Sequence, residues 1–232
     1  MEKLGLPVLE RLPLRGSETV LDAGCGSGRV TEALIERLPD GRAIAVDQSP
    51  SMIAAARERL GDAAELHVQD LLELEVGDDL DAIISTATFH WIKDHERLFE
   101  RLRAALRPGG RLVAQCGGAG NIDVLRGRAR EVLGREPYAR HMADFIGPWN
   151  YAGAELTRER LLAAGFQGAE CWLQEAPQQP EHPREFLTQI VLGPHYQHLP
   201  EELREPFMDD VLEELGAPVI VDYVRLNIDA VA

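Results

Sequence analysis

Apolar residues recur along the first half of the chain in two alternating rhythms. Short continuous runs, Thr19-Val20-Leu21, Ala43-Ile44-Ala45-Val46 and Glu65-Leu66-His67-Val68, read as buried strands, and residues 79–85 and 111–115 supply a fourth and a fifth. Between them the apolar positions take helical spacing. Val30, Leu34 and Leu38 share one face; residues 50–60 follow Ser49-Pro50, an N-cap with proline at the first helical position; Leu98, Leu102 and Leu106 follow Asp94 as cap. Arg107-Pro108-Gly109-Gly110 then stops the helix ahead of strand five. Buried strands separated by helices predict a parallel sheet with helices on both faces.

The second half is less regular. Residues 121–133 read as a helix, and Thr157 as the cap of another, with Leu156 and Leu161 as its hydrophobic staple and Gly165 as its end. Residues 169–173 and 219–228 read as strands that would form a hairpin but for an intervening stretch with two predicted helices, 185–192 and 206–215. An insertion of that length points to function. The chain therefore reads as one α/β domain: a short N-terminal cap (1–18), a core (19–117), helices and a strand on the acceptor side (118–176), a helical insertion (177–218) and a last strand (219–232).

Composition narrows the function classes. The formal net charge of −15 repels phosphate backbones and anionic lipid, so neither nucleic acid nor membrane is an expected partner. No segment approaches the roughly 20 apolar residues of a membrane span, and residues 1–15 lack a signal-peptide pattern, which together read as cytoplasmic. Cys25, Cys116 and Cys171 are odd in number and form no CxxC pair, so no disulfide framework or metal site is expected. Oligomeric state is not legible.

The central chemical signal is Val20-Leu21-Asp22-Ala23-Gly24-Cys25-Gly26-Ser27-Gly28, which follows a strand and opens a helix. Glycines there let the backbone turn sharply and approach a ligand, and the helix start beyond offers unpaired N–H groups to an anion. A dinucleotide fingerprint, GxGxxG, would need a third glycine where Arg29 stands; the spacing is GxGxG, with an acid two residues before the first glycine. Asp47, nineteen residues beyond Gly28 at the end of strand two, is placed to accept both ribose hydroxyls, and a nicotinamide cofactor would want an acid in a similar place.

This set of motifs resembles the class I S-adenosylmethionine-dependent methyltransferases over residues 19–117, with Leu106-Arg107-Pro108-Gly109-Gly110 as a further, structural signature. The resemblance implies a Rossmann-like, seven-stranded, mostly parallel sheet with the helical insertion before its last strand. It implies S-adenosylmethionine as methyl donor and S-adenosylhomocysteine as product. Asp22 would help hold the methionine amino group, with Gly24, Gly26 and Gly28 as the floor. Asp47 would take the ribose, Asp70 the adenine amino group, Met52 and Leu71 the adenine faces, and Thr86 the methionine side, with Gln48 also among the cofactor-binding residues.

Ligands of open α/β sheets lie beyond the carboxyl ends of the strands. The segment after strand four, Phe89-His90-Trp91, is thus expected to face the acceptor, with His90 as the candidate general base for a hydroxyl acceptor and Trp91 against the sulfonium or the acceptor. Phe89-His90-Trp91-Ile92, the run Gln115-Cys116-Gly117-Gly118-Ala119-Gly120-Asn121, and the helical insertion resemble the trans-aconitate methyltransferase branch, whose members methylate carboxylates of small acids. Trp149, Tyr151, His195 and Tyr196 are the expected acceptor-pocket residues. Val191-Leu192-Gly193-Pro194-His195-Tyr196 carries no arginine, which counts against a polyanionic acceptor. The expected activity is methyl transfer to oxygen of a small molecule. An N- or C-methyltransferase, a non-catalytic S-adenosylmethionine-binding protein and a nicotinamide oxidoreductase are the alternatives.

Overall fold

The computed structural model describes residues 5–77 and 79–232. Ten helices are described: α1 (Leu6–Glu10), α2 (Arg29–Glu36), α3 (Pro50–Leu60), α4 (His95–Ala105), α5 (Asp123–Leu133), α6 (Ala139–Met142), α7 (Ala154–Ala163), α8 (Pro183–Phe186), α9 (Gly193–His198) and α10 (Glu201–Leu215). The strands are β1 (Thr19–Ala23), β2 (Arg42–Asp47), β3 (Glu65–Val68), β4 (Leu80–Thr86), β5 (Leu106–Gly117), β6 (Gly168–Glu175) and β7 (Val224–Val231). They form one seven-stranded sheet in the order β3-β2-β1-β4-β5-β7-β6. β3, β2, β1, β4 and β5 are parallel; β1, β2 and β4 are buried apolar runs, whereas β3, expected to be buried, is an edge strand with no buried residue because one side has no neighbouring strand. Residue 167 bonds to 231 and 176 to 223, so β6 and β7 run antiparallel.

The chain divides into two compact units. The first comprises Met1–Ala119, Asn150–Leu173 and Leu226–Ala232; the second comprises Gly120–Trp149 and Gln174–Arg225. In the first unit, one face of the sheet buries Leu98, Phe99 and Leu102 of α4 with Leu161 of α7, and the other buries Val8, Leu9 and Leu12 with Leu34 and Leu38. Each fully buried apolar side chain of this kind contributes roughly 1.5–3 kcal/mol, which makes the sheet a rigid platform for its loops.

Four elements differ from the sequence expectation. Leu106 leaves the helix and begins β5, because Pro108-Gly109-Gly110 forms a bulge: between Leu80↔Leu106 and Ala82↔Arg111, four residues on one strand oppose one on the other. Thr157 lies inside α7 rather than at its cap, its buried hydroxyl donating to the Gly153 carbonyl at 2.8 Å, and Gly153 is the cap. Residues 219–223 do not extend β7, because Val221 pairs with Gln178 and the Asp222 carboxylate accepts the Val124 and Leu125 N–H groups at the start of α5. Finally, α10 starts at Glu201 and carries Pro206 in its interior, where burial of Phe207, Met208 and Val211 outweighs the lost hydrogen bond.

Candidate active site

β1 and β4 are neighbours, whereas the chain leaves β1 toward β2 on the other side. Strand order therefore reverses beside β1, and a crevice opens at the carboxyl ends. A cleft of about 320 Å³ lies there, lined by Gly24, Asp47, Gln48, Gln69, Asp70, Leu71, Thr86, Ala87, Thr88, Trp91 and Ile92. The ends of four strands, β1 to β4, with their following loops thus converge on one cavity within the first unit.

The glycine turn is shaped by this convergence. Gly24 has φ +81°, and a Cβ there would stand 2.2 Å from Thr88 Cγ2. Thr88 is itself fixed, its hydroxyl reaching the Gly24 and Thr86 carbonyls at 3.1 and 3.0 Å. Gly28 caps α2 at φ +80°, packed against Leu60 and Ala56 of α3, so its role is to bring helix and helix together rather than to face the cleft. Asp47 closes the turn. One carboxylate oxygen accepts the Gly26 N–H and the other the Ser49 N–H, both at 2.9 Å. Each oxygen keeps a second lone pair for a ribose hydroxyl. Asp70 accepts the Leu72 N–H through one oxygen, and Leu71 is buried beside it.

Asp22 stands apart from the cleft lining. It is fully buried, with one oxygen accepting the Thr31 hydroxyl at 2.7 Å and Oδ1 without a partner. Burial, with Asp47 nearby, pushes its pKa up to about 6 against the lowering hydrogen bond from Thr31. Because the folded value lies above the ordinary 3.8, the folded state binds the proton more tightly, and stability falls as pH rises from about 4 to about 6. The cost at neutral pH is on the order of 3 kcal/mol. Asp22→Asn is expected to raise the melting temperature at pH 7.5 and to flatten the pH dependence of stability between about pH 4 and 6. A lower melting temperature with an unchanged pH profile would show that the buried charge carries no such penalty.

Met52 does not reach the cleft; its side chain is exposed while its N–H is capped by Ser49. Ala87 lines the cleft at φ +55°, held by its N–H to the Gln115 carbonyl at 2.8 Å. Trp91, expected on the acceptor side, lines the same cavity as Asp70 and Leu71.

His90 lies beside the cleft wall. Its Nδ1 accepts the Gly117 N–H at 3.2 Å, and its ring stacks on Tyr151 with centroids 5.9 Å apart. A neutral ring that accepts at Nδ1 carries its proton on Nε2, so it presents a donor. Asn150 staples the loop, donating its N–H to the His90 carbonyl and its side-chain amide to those of Ile92 and Lys93.

The remaining expected residues lie in the second unit. Trp149 and His195 line a second cavity, of about 370 Å³, together with Arg126, Arg130, Met142 and Phe145. Tyr196 turns away from it, its hydroxyl bonded to Glu205 of α10 and Arg204 lying over its ring. Arg126 and Arg130 escaped the sequence reading because an i, i+4 arginine pair on a helix looks the same on a solvated face.

The family model described as a methyltransferase domain matches residues 20–110. Over 218 residues the chain is 32% identical to a trans-aconitate 2-methyltransferase of Azoarcus sp. (strain BH72), covering 94% of this chain and 71% of that one. A protein of the same name from Mycobacterium tuberculosis (strain ATCC 25177 / H37Ra) is 36% identical, over 90% of this chain and 80% of its own. Among solved structures, a putative methyltransferase from Bacillus halodurans C-125 superposes with TM-score 0.66 at 15% identity, covering 100% and 99% of the two chains. The chain belongs to the class I S-adenosylmethionine-dependent methyltransferases, with S-adenosylmethionine as its methyl donor. Within that class its likeness is to the trans-aconitate methyltransferase branch.

The cleft fits that donor. The glycine turn leaves a cradle that a Cβ at position 24 would fill, Asp47 and Asp70 offer carboxylates to hydroxyl and amino donors, and Leu71 and Trp91 offer flat or apolar surface.

Proposed function

We propose that this methyltransferase, acting in the cytoplasm, esterifies a carboxylate oxygen of a small organic acid. The observation that carries the reading is chemical. The described residues lining the cleft include no histidine, lysine, cysteine or tyrosine, and the two carboxylates there are the ones fitted to the donor's ribose and adenine. An acceptor hydroxyl or ammonium would need a base, whereas a carboxylate is already a nucleophile at neutral pH. The bound donor supplies a methyl group on a positively charged sulfur, already activated for displacement. What remains for the chain is placement. Asp47, Asp70 and Leu71 hold the donor's nucleoside end, and the Thr86–Thr88 turn forms the neighbouring wall. His90, with its proton on Nε2, is a hydrogen-bond donor to an acid's oxygen rather than a base. The name carried by the curated relatives supports an acid acceptor.

The test is methyl-ester formation from a panel of small carboxylic acids, with matched alcohols and amines. Ester formation with kcat/KM flat between about pH 6 and 9 is expected, and His90→Ala should leave S-adenosylhomocysteine affinity within about threefold of wild type while lowering kcat/KM. A rising limb near neutral pH that vanishes in His90→Ala would restore histidine as a base and overturn the carboxylate reading. Methylation of amines or alcohols alone would do the same.

A further inference from the structure

The turn that brings Trp91 to the donor cleft makes few bonds of its own. Phe89–Trp91 form a single 3₁₀ turn after β4, and Thr88 at its start gives it no side-chain cap. Its internal bonds run from the Trp91 N–H to the Thr88 carbonyl at 2.9 Å and from the Ile92 N–H to the Phe89 carbonyl at 3.0 Å. So short a turn is marginal alone, and the carbonyls at its exit find no partner within it.

The partners come from elsewhere in the same unit. At the entry, the buried His95 imidazole donates through Nε2 to the Phe89 carbonyl at 2.9 Å, and the Phe89 side chain is buried in the core. At the exit, Asn150 supplies three N–H donors. Its backbone N–H meets the His90 carbonyl at 2.8 Å, and its side-chain amide meets the carbonyls of Ile92 and Lys93 at 3.3 and 3.0 Å. Both side-chain partners are acceptors, so the amide nitrogen has to face them, which fixes the orientation of the group. Asn150 is half-buried and opens the segment Asn150–Leu173 of the first unit. Between the two anchors stands Trp91, 41% exposed, which lines the cleft with Asp70 and Leu71.

We propose that Asn150 is a positioning residue for the methyl donor: by holding the exit of the 89–93 turn, it sets Trp91 as a wall of the donor cleft. Asn150 is not among the cleft-lining residues, so its effect on the donor runs through Trp91. A wall fixed before the ligand arrives loses less freedom on binding than one that must be ordered then. The residue type matters, because alanine would leave the Ile92 and Lys93 carbonyls to water and aspartate would turn acceptor oxygens on them. The inference concerns the donor alone and holds whichever acceptor atom is methylated.

The test is calorimetric titration of the full chain with S-adenosylhomocysteine, arranged as a double-mutant cycle with Trp91. Asn150→Ala keeps the backbone bond to His90 and removes only the two amide bonds. Trp91→Ala is expected to weaken binding about tenfold or more, and Asn150→Ala about five- to tenfold. The chain carrying both changes should bind within about twofold of Trp91→Ala alone, because the wall that Asn150 sets is already gone. Asn150→Asp should lose at least as much as Asn150→Ala. Tryptophan emission gives a second readout. The change produced by saturating S-adenosylhomocysteine should vanish in Trp91→Ala and be smaller than wild type in Asn150→Ala. Thermal melts accompany the titrations, and if Asn150→Ala is unfolded at the titration temperature, Asn150→Ser takes its place in the cycle. Wild-type affinity in either single variant, or a full-sized emission change in Asn150→Ala, would overturn the proposal. So would losses that multiply in the double variant, since Asn150 would then act on the fold at large rather than through Trp91.

Discussion

Gly24→Ala is expected to abolish S-adenosylhomocysteine binding to at least the hundredfold level, the largest effect of any single methyl group added to this chain. Two costs add. An alanine at φ +81° sits in the left-handed region, worth about 1–2 kcal/mol. Its Cβ would also meet Thr88 Cγ2, Oγ1 and Cβ at 2.2, 2.3 and 2.7 Å. Thr88 has no easy retreat, because its hydroxyl holds the Gly24 and Thr86 carbonyls and its backbone walls the cleft. The strain should cost about 2–4 kcal/mol of stability and push the cleft wall into the donor's space. Gly26→Ala is the informative contrast, since φ is +54° but nothing lies within 4 Å of the added Cβ, so only the conformational cost of about 1 kcal/mol applies. Calorimetric titration with thermal melts checks both. Thr88→Gly in the Gly24→Ala background removes the clashing atoms and should recover part of the affinity. Wild-type binding by Gly24→Ala would remove the glycine turn from the site.

The second large effect is expected from Asp47→Ala. The carboxylate joins two backbone segments, accepting N–H groups from Gly26 in the glycine turn and Ser49 at the start of α3, and it faces the cleft as well. Hydrogen bonds to a charged group contribute about 1.5–3 kcal/mol each, so removing the ribose contacts alone should weaken S-adenosylhomocysteine about tenfold to over a hundredfold. Loosening the turn adds to that. Asp47→Asn retains a single acceptor oxygen and should fall between. A 2′-deoxyribose analogue of S-adenosylhomocysteine separates the two causes. It should bind wild type more weakly than the parent ligand, and bind Asp47→Ala no more weakly, because the partner of the missing hydroxyl is already gone. An equal loss in both proteins would assign Asp47 to the backbone turn alone.

Much of the cleft lining was legible because its signals are local and positional. A glycine turn between a strand and a helix, an acid at the end of β2 and another just past β3 each sit at a strand terminus, and a parallel sheet sends its strand termini to one edge. Gly24, Asp47, Gln48, Asp70, Leu71 and Thr86 all line the cleft. Gly26, Gly28 and Met52 do not; for Met52, helical phase decides which way a side chain near a helix start points, and a short apolar pattern reads that phase poorly. Asp22 could be placed on β1 from the sequence, but not its complete burial against Thr31.

The sequence by itself therefore determined the alternation of strands and helices, the methyltransferase class and most of the residues that line the cleft, all of which depend on residues close together in the chain or at equivalent strand ends. Tertiary structure decided the rest. Only folding sets the Gly117 N–H against Nδ1 of His90. Arg126 and Arg130 of α5 line the same cavity as His195, although they lie far from it in the chain. Such a pocket is written in contacts between distant segments, and no periodicity or motif along the chain encodes which distant segments will meet.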